Sequence, residues 1–412
     1  MALHNEIAFE TDICNHLAAQ GWLYGEPGTE GDASGYDTPR ALYPADLLAW
    51  VQATQPQAWE ALVKNHGAAA PAMLLDRLRK ALDDRGTLEV LRVGIDLPGL
   101  KSPLKLAQFK PALAMNPDLQ ARYAANRLRV VRQCRTGHDD VIDLVLFLNG
   151  IPVATAELKT DFTQDMNAAV DQYRFDRIPK PKGRPFAEPL LDFPRGALVH
   201  FAVSNRTVMM ATRLQGPATR FLPFNQGWNH GAGNPPNPDG LKTDYLWKQV
   251  LQKNSLANII ENFTQIVEEE DEKGKKRRKQ VFPRFHQLRT VRTLLCLSRE
   301  DGVSKRYLIQ HSAGSGKSNT IAWLGHQLVE LKTAADAMLP QFDSVIVITD
   351  RRALDTQIAR TIKSYDHVAS IFGHSEDAAE LRTFLRKGKK IIVTTVQKFP
   401  FIVDGIGQLS DR

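Results

Sequence analysis

Residues 142–159, Ile-Asp-Leu-Val-Leu-Phe-Leu-Asn-Gly-Ile-Pro-Val-Ala-Thr-Ala-Glu-Leu-Lys, constrain the fold more than any other stretch. Two apolar runs flank Asn149-Gly150, the strongest short-range signal for a tight β-hairpin. Three charges interrupt the runs. Asp143 stands inside an apolar strand, where an unpaired carboxylate is costly to desolvate. Glu157 and Lys159 are two apart on the second strand and so point to one face. Two carboxylates and a lysine converging on one side of a hairpin suit a divalent metal and an activated water.

The turn sets a condition on this reading. In a plain two-residue hairpin Leu148 pairs with Ile151 and Asp143 with Ala156, which leaves Asp143 and Glu157 on opposite faces. A shared metal requires one extra residue, either in a three-residue loop with a glycine bulge or in a bulge further down. Asp143 then lies across from Glu157, with Cβ atoms about 5 Å apart. The shifted register is the expectation.

Around the hairpin the pattern alternates helix and strand. The spacing predicts a helix over 5–20, carrying Glu6 and Glu10 four apart and ending at Gly21, with Glu6 on a solvated face. A loop rich in Gly, Asp and Pro (25–39) leads to helical periodicity over 42–82, then a strand over 88–95 and a helix over 118–125. Strands follow at 128–135, 197–205 and 208–213, with a helix at 167–175. This implies a mixed sheet flanked by helices across residues 1–240, ending in an irregular loop from Pro223 to Gly240. Residues 241–280 read as a helical segment from Tyr245 to Ile266 and an exposed, mobile connector, in which Glu268–Glu272 is followed by a basic run from Lys273 to Lys279.

A second domain, residues 281–412, is announced by Tyr307-Leu-Ile-Gln-His-Ser-Ala-Gly-Ser-Gly-Lys-Ser318. A short apolar strand, a glycine-bearing loop and a helix from Asn319 form the context of a phosphate loop. Backbone N–H groups of Gly314, Ser315, Gly316 and Lys317 can surround phosphate oxygens, Lys317 can reach the β and γ phosphates, and Ser318 can hold Mg²⁺. His311 occupies the first position of the motif, where glycine is usual. Further strands at 344–350 and 390–395 imply a parallel α/β sheet. No strand ending in Asp-Glu follows before Arg412, so the ATPase domain reads as incomplete and as unlikely to hydrolyse ATP alone.

With a formal net charge of +7, the chain mildly favours a polyanionic partner. Apolar runs fall short of the roughly 20 residues that span a bilayer, and the N-terminus lacks a secretory pattern. Three scattered cysteines, Cys14, Cys134 and Cys296, read as reduced thiols; a cytoplasmic protein without a membrane partner is expected. His286 and His311 read as structural or phosphate-adjacent, and Trp228 and Trp247 as anchors.

Several segments in order extend this picture: Asn126-Arg-Leu with Val131-Arg-Gln133, Asp143 to Lys159, Ala169-Val-Asp-Gln-Tyr-Arg-Phe-Asp-Arg177, Phe221-Leu-Pro-Phe-Asn225, Phe282-Pro-Arg-Phe-His-Gln287, and His311 to Ser318. Over nearly its whole length the chain resembles the restriction (motor and nuclease) subunit of type I restriction–modification enzymes. The resemblance implies an α/β architecture: a PD-(D/E)xK-type nuclease, then a partial RecA-like domain beginning a superfamily 2 helicase-like motor. It further implies that Asp143 and Glu157 bind Mg²⁺, that Lys159 orients the attacking water, and that Gln172 and Tyr173 support the site and its DNA. Glu10 would complete the site, and Gln287 would read the adenine of ATP. Ile142 stands where the motif's name has Pro. The implied activity is Mg²⁺-dependent cleavage of unmethylated double-stranded DNA coupled to ATP-driven translocation, in a complex with methyltransferase and specificity subunits. The other reading is a DNA motor whose N-terminal domain only binds DNA or docks a partner; an intact Asp143, Glu157 and Lys159 set argues against it.

Overall fold

In a computed structural model, residues 6–25, 35–111, 116–160, 166–270, 276–336, 338–363 and 371–402 are described. Most of the expected 25–39 loop and the centre of the charged connector lie outside them. The chain forms two compact units, Met1–Thr264 with Lys279–Arg284, and Gln265–Arg278 with Phe285–Arg412.

The first unit opens with α1 (Glu6–Ala19) and β1 (Leu23–Gly25), then α2 (Pro44–Thr54), α3 (Pro56–His66), α4 (Ala70–Arg85), α5 (Thr87–Val93) and α6 (Pro117–Ala124). The hairpin region is β2 (Leu128–Arg135), β3 (Val141–Leu148) and β4 (Ile151–Lys159). α7 (Met166–Asp171) runs into a π-turn, Gln172–Asp176, before β5 (Val199–Ser204), β6 (Val208–Ala211) and β7 (Leu222–Pro223). The seven strands form one sheet in sequence order, mixed because β1 and β2 are parallel, as are β4 and β5, and the other neighbours antiparallel. One buried cluster joins Val131, Val145 and Phe147 to Ala169, Val170 and Tyr173, so α7 packs directly on the central strands.

The Asn-Gly turn is a true two-residue turn and it is buried. Asn149 and Gly150 both have positive φ (48° and 77°), as a type I′ turn requires. A Cβ on Gly150 would lie 2.3 Å from the Tyr43 carbonyl oxygen, so only glycine fits against the start of α2. The Asn149 side chain accepts from the Arg127 N–H at 2.7 Å and donates to Leu106 O and Asn126 Oδ1, both at 2.9 Å. Nearby, the fully buried Asp46 of α2 is neutralised by Arg127 at 2.8 Å and by Arg129, whose guanidinium also lies over the Tyr43 ring.

Three expectations are corrected. Residues 88–95 are not a strand: α5 lies between Gly86 and Gly94, whose positive φ values (87° and 90°) cap it at both ends. Leu88 and Leu91 are buried with helical spacing, and that packing overrides the β propensity of the run. The helical part of the 241–280 segment is not set apart from the first domain. That part, the π-turns Leu246–Val250 and Ile259–Phe263 around α8 (Lys253–Asn258), belongs to the first unit, where Trp247 meets Phe9 of α1 edge-on. The described residues on either side of the charge reversal form two paired strands, β8 (Gln265–Glu270) and β9 (Lys276–Val281).

The second unit holds α9 (Phe285–Asp301), α10 (Lys317–Glu330), β10 (Val345–Thr349), α11 (Arg352–Lys363), β11 (Phe372–His374), α12 (Ala378–Arg386) and β12 (Ile391–Thr395), with helix and strand alternating from α10 onward. β10, β12 and β11 form a parallel sheet in that order. The third correction falls here: Tyr307–His311, expected as the strand before the phosphate loop, joins no strand ladder, and Leu308 is 96% exposed. An apolar run becomes a strand only where a neighbour completes its hydrogen bonds, and no described strand pairs with it. All three cysteines are free thiols, and no described helix is long and apolar enough to cross a membrane.

Candidate active site

The register of β3 and β4 decides whether the carboxylates meet. Leu148 pairs with Ile151 and Phe147 with Pro152, but Leu146 pairs with Ala154, so Val153 is an extra residue in a bulge. Beyond it Val145 faces Thr155 and Leu144 faces Ala156. The next pair in this register is Asp143 with Glu157. The shifted register is therefore present, produced by a bulge down the strand. The backbone reinforces it: the Leu158 N–H donates to Asp143 Oδ2 at 2.7 Å.

Glu157 is fully buried. Its Oε1 accepts from Arg177 Nε at 2.8 Å, and its Oε2 has no hydrogen-bond partner. Burial, followed by repulsion from Asp143, pushes its carboxyl well above the usual range despite Arg177. A buried carboxylate oxygen without a partner, beside a second carboxylate, has the chemistry of a cation ligand. Among the described residues no group of three His, Cys, Asp or Glu side chains could hold an ion, and Asp143 and Glu157 are a pair. That suits Mg²⁺, which usually keeps several waters and takes one or two carboxylates.

Lys159 is buried and its Nζ lies 3.3 Å from Glu6 Oε2. Glu6 is thus an ion-pair partner of the site lysine rather than simply a solvated face. One turn on, the buried Glu10 pairs with Arg132 Nε at 3.2 Å and accepts from Gln133 Nε2 at 2.9 Å. Gln133 Nε2 also lies 3.4 Å from Asp143 Oδ1 and so links the two carboxylates. Burial raises the Glu10 carboxyl, with Gln133 and Arg132 opposing and Asp143 adding to the rise. α1 thereby brings Glu10 to the pair from the N-terminal end of the domain's sequence.

Tyr173 is fully buried, and its hydroxyl lies 2.7 Å from Thr155 Oγ1, which lies 2.8 Å from His200 Nδ1. It therefore supports β4 two residues before Glu157 and is not exposed for contact with DNA. Gln172 opens the π-turn, and its Oε1 is buried without a hydrogen-bond partner.

The expected phosphate loop sits in the second unit. Gly314 and Gly316 have positive φ (71° and 85°), and Gly316 immediately precedes α10. His311 is not among the left-handed positions, so its place in the motif does not demand glycine. Lys317 Nζ donates to His311 O at 3.2 Å and Ser312 O at 2.9 Å. Ser315 is buried, and half-buried Ser318 stands in the first turn of α10. Gln287 is buried against the loop, with Nε2 donating to Gly316 O at 3.0 Å, and His286 meets His311 edge-to-face, centroids 5.1 Å apart.

A family model described as the type I restriction enzyme R protein N terminus matches residues 5–219, more than half of the chain. The chain belongs to the type I restriction enzyme R protein family. A second family model, the SWI2/SNF2 ATPase, matches residues 286–411. The type I restriction enzyme HindI endonuclease subunit of Haemophilus influenzae is 24% identical over 418 aligned positions, covering 96% of this chain and 36% of that protein. A putative type I restriction enzyme MjaVIIIP endonuclease subunit of Methanocaldococcus jannaschii is 26% identical over 239, covering 54% of this chain and 19% of that one. The chain thus spans about a third or less of the length of these relatives.

Within this R-protein chain the structure adds four side chains that the sequence reading did not assign to the site: Glu6, Arg132, Gln133 and Arg177. Glu6 could have been found from its spacing of four from Glu10, which places both on one helix face. Gln133 has a positive φ of 49°, and the β2–β3 pairing passes over it and Asp143. No sequence pattern announces that distortion.

Proposed function

We propose that the first unit is a Mg²⁺-dependent endonuclease acting on double-stranded DNA, of the PD-(D/E)xK kind, and that the second is the start of an ATP-driven, RecA-like translocase. Together they would form part of the restriction subunit of a type I complex, working with methyltransferase and specificity subunits on unmethylated DNA. The observation that carries this reading is the Val153 bulge, which sets Asp143 across from a buried Glu157 with a free oxygen. A pure scaffold has no need to bury that pair.

Mg²⁺ held between Asp143 and Glu157 would lower the pKa of a bound water and neutralise the scissile phosphate. Lys159, oriented by Glu6, would stabilise the attacking oxygen as its proton leaves. Glu10, through Gln133, holds Asp143 in place. Between Asp176 and Glu188 the chain carries four basic residues and no acidic one. Lys180, Lys182 and Arg184 are exposed on a loop whose ends are tied by the Glu188 N–H to Pro179 O at 2.7 Å. Cations on an anchored loop, following directly from the π-turn that Arg177 closes, suit phosphates of the duplex. On nucleotide binding, Lys317 would exchange its two carbonyl partners for phosphate oxygens.

The test is cleavage of an unmethylated plasmid by the full complex with Mg²⁺ and ATP. Glu157→Ala should abolish cutting and Lys317→Ala should abolish ATP-dependent cutting. Normal cutting by Glu157→Ala would refute the nuclease, and normal cutting by Lys317→Ala would refute the coupling.

A further inference from the structure

Arg177 is held at four points. Its Nε donates to Glu157 Oε1 at 2.8 Å, one terminal nitrogen donates to Val141 O at 2.7 Å, and the other lies 3.6 Å from Asp140 Oδ1. Its backbone N–H closes the π-turn by donating to Gln172 O at 2.8 Å. The guanidinium therefore bridges the start of β3 to the C-terminal part of β4, the two strands that supply the carboxylates. Its side chain is only 13% exposed.

Glu157 is asymmetric as a result. One oxygen is engaged by Arg177; the other is buried and has no hydrogen-bond partner. A free glutamate side chain has three torsions to settle, and a buried one without a partner could turn either oxygen toward Asp143. Resting on the nuclease reading above, we infer that Arg177 is a positioning residue for the metal site: it holds Glu157 by Oε1 and presents Oε2, beside Asp143, to the cation. Outer partners of this kind orient ligands and are worth about 10- to 100-fold in metal affinity. The role calls for arginine in particular. A planar fork can serve a carboxylate, a backbone carbonyl and a second carboxylate at once, whereas a lysine ammonium is a point charge on a flexible stem.

The opposite role is also physically coherent, and the sign of one measurement separates the two. Were Arg177 a placeholder occupying the cation's position, removing it would tighten metal binding. The test is calorimetric titration of the 412-residue chain with Mg²⁺, in the absence of DNA and nucleotide. Glu157→Ala serves as the reference for loss of the site. Arg177→Gln is expected to weaken Mg²⁺ binding about 10- to 100-fold, and Arg177→Lys, which keeps the charge and loses the fork, to fall between it and the parent. Circular dichroism establishes that each variant is folded; should Arg177→Gln not fold, Arg177→Lys carries the test. Unchanged or tighter binding in a folded Arg177 variant overturns the inference and leaves the nuclease reading standing. A parent that binds Mg²⁺ no better than Glu157→Ala overturns both.

Discussion

Thr155, Tyr173 and His200 form a buried chain whose hydrogens can be placed by counting. His200 is fully buried and its pKa is pushed down to about 3, so the ring is neutral. Suppose Tyr173 donates to Thr155, and Thr155 donates to His200 Nδ1. Both hydroxyls then donate and His200 Nδ1 accepts. The reverse direction leaves the Tyr173 O–H without an acceptor among these three, so the first arrangement is favoured. Thr155→Val keeps the shape but orphans both a buried O–H and a buried ring nitrogen, at about 1–3 kcal/mol each, or roughly 2–6 kcal/mol together. Tyr173→Phe keeps the ring against Phe221, leaves Thr155 donating to His200 and removes one accepted bond, so it should cost about 0.5–1.5 kcal/mol. Adding Tyr173→Phe to Thr155→Val removes one of the orphans, so the double variant should be no less stable than Thr155→Val alone. Urea unfolding followed by tryptophan fluorescence supplies all four corners of this cycle. A Tyr173→Phe cost equal to that of Thr155→Val, no cost at all, or simple additivity in the double variant would refute the assignment.

Other expectations follow from the two sites. The raised carboxyl of Glu157 adds stability to the metal-free protein in full below the ordinary value of 4.5, and that contribution is lost as pH rises through its higher native value. Mg²⁺ binds the deprotonated form, so the gain in Tm on adding Mg²⁺ should grow over the same rise in pH; a gain independent of pH would contradict this. Lys317→Ala removes charge-assisted hydrogen bonds to phosphate and should weaken ATP about 10- to 150-fold in a fluorescent-analogue displacement assay. Because Lys317 is exposed, Tm should hold. Replacing Lys180, Lys182 and Arg184 with Gln should lower the slope of log affinity for duplex DNA against log salt by up to about 0.9 for each phosphate no longer neutralised. The same slope in parent and variant would remove the loop from the DNA surface.

What could be read from the sequence was what is local. The hairpin, its turn and even the need for an extra residue come from a period of two and a chemical demand that two carboxylates share a face. The expected phosphate loop is likewise local, two glycines opening a helix. Residues brought in from distant elements were less accessible. Arg177 reaches Glu157 because a π-turn offsets it from the regular helical face of α7, and Gln133 links Glu10 to Asp143 because β2 is distorted there. The strand expected over 88–95 shows the converse: its apolar residues fit either period, and the glycines at both ends, with the core they enclose, chose the helix.

The Val153 bulge also gives β4 a length tolerance with a sign. The turn is anchored against Tyr43, so any change in strand length must be absorbed between Pro152 and Glu157. A deletion of one residue there can be taken up by ironing the bulge flat, with Asp143 still across from Glu157. An insertion finds no such slack and carries Glu157 past its partner to the other face. This short strand can afford to become shorter by one residue, but not longer.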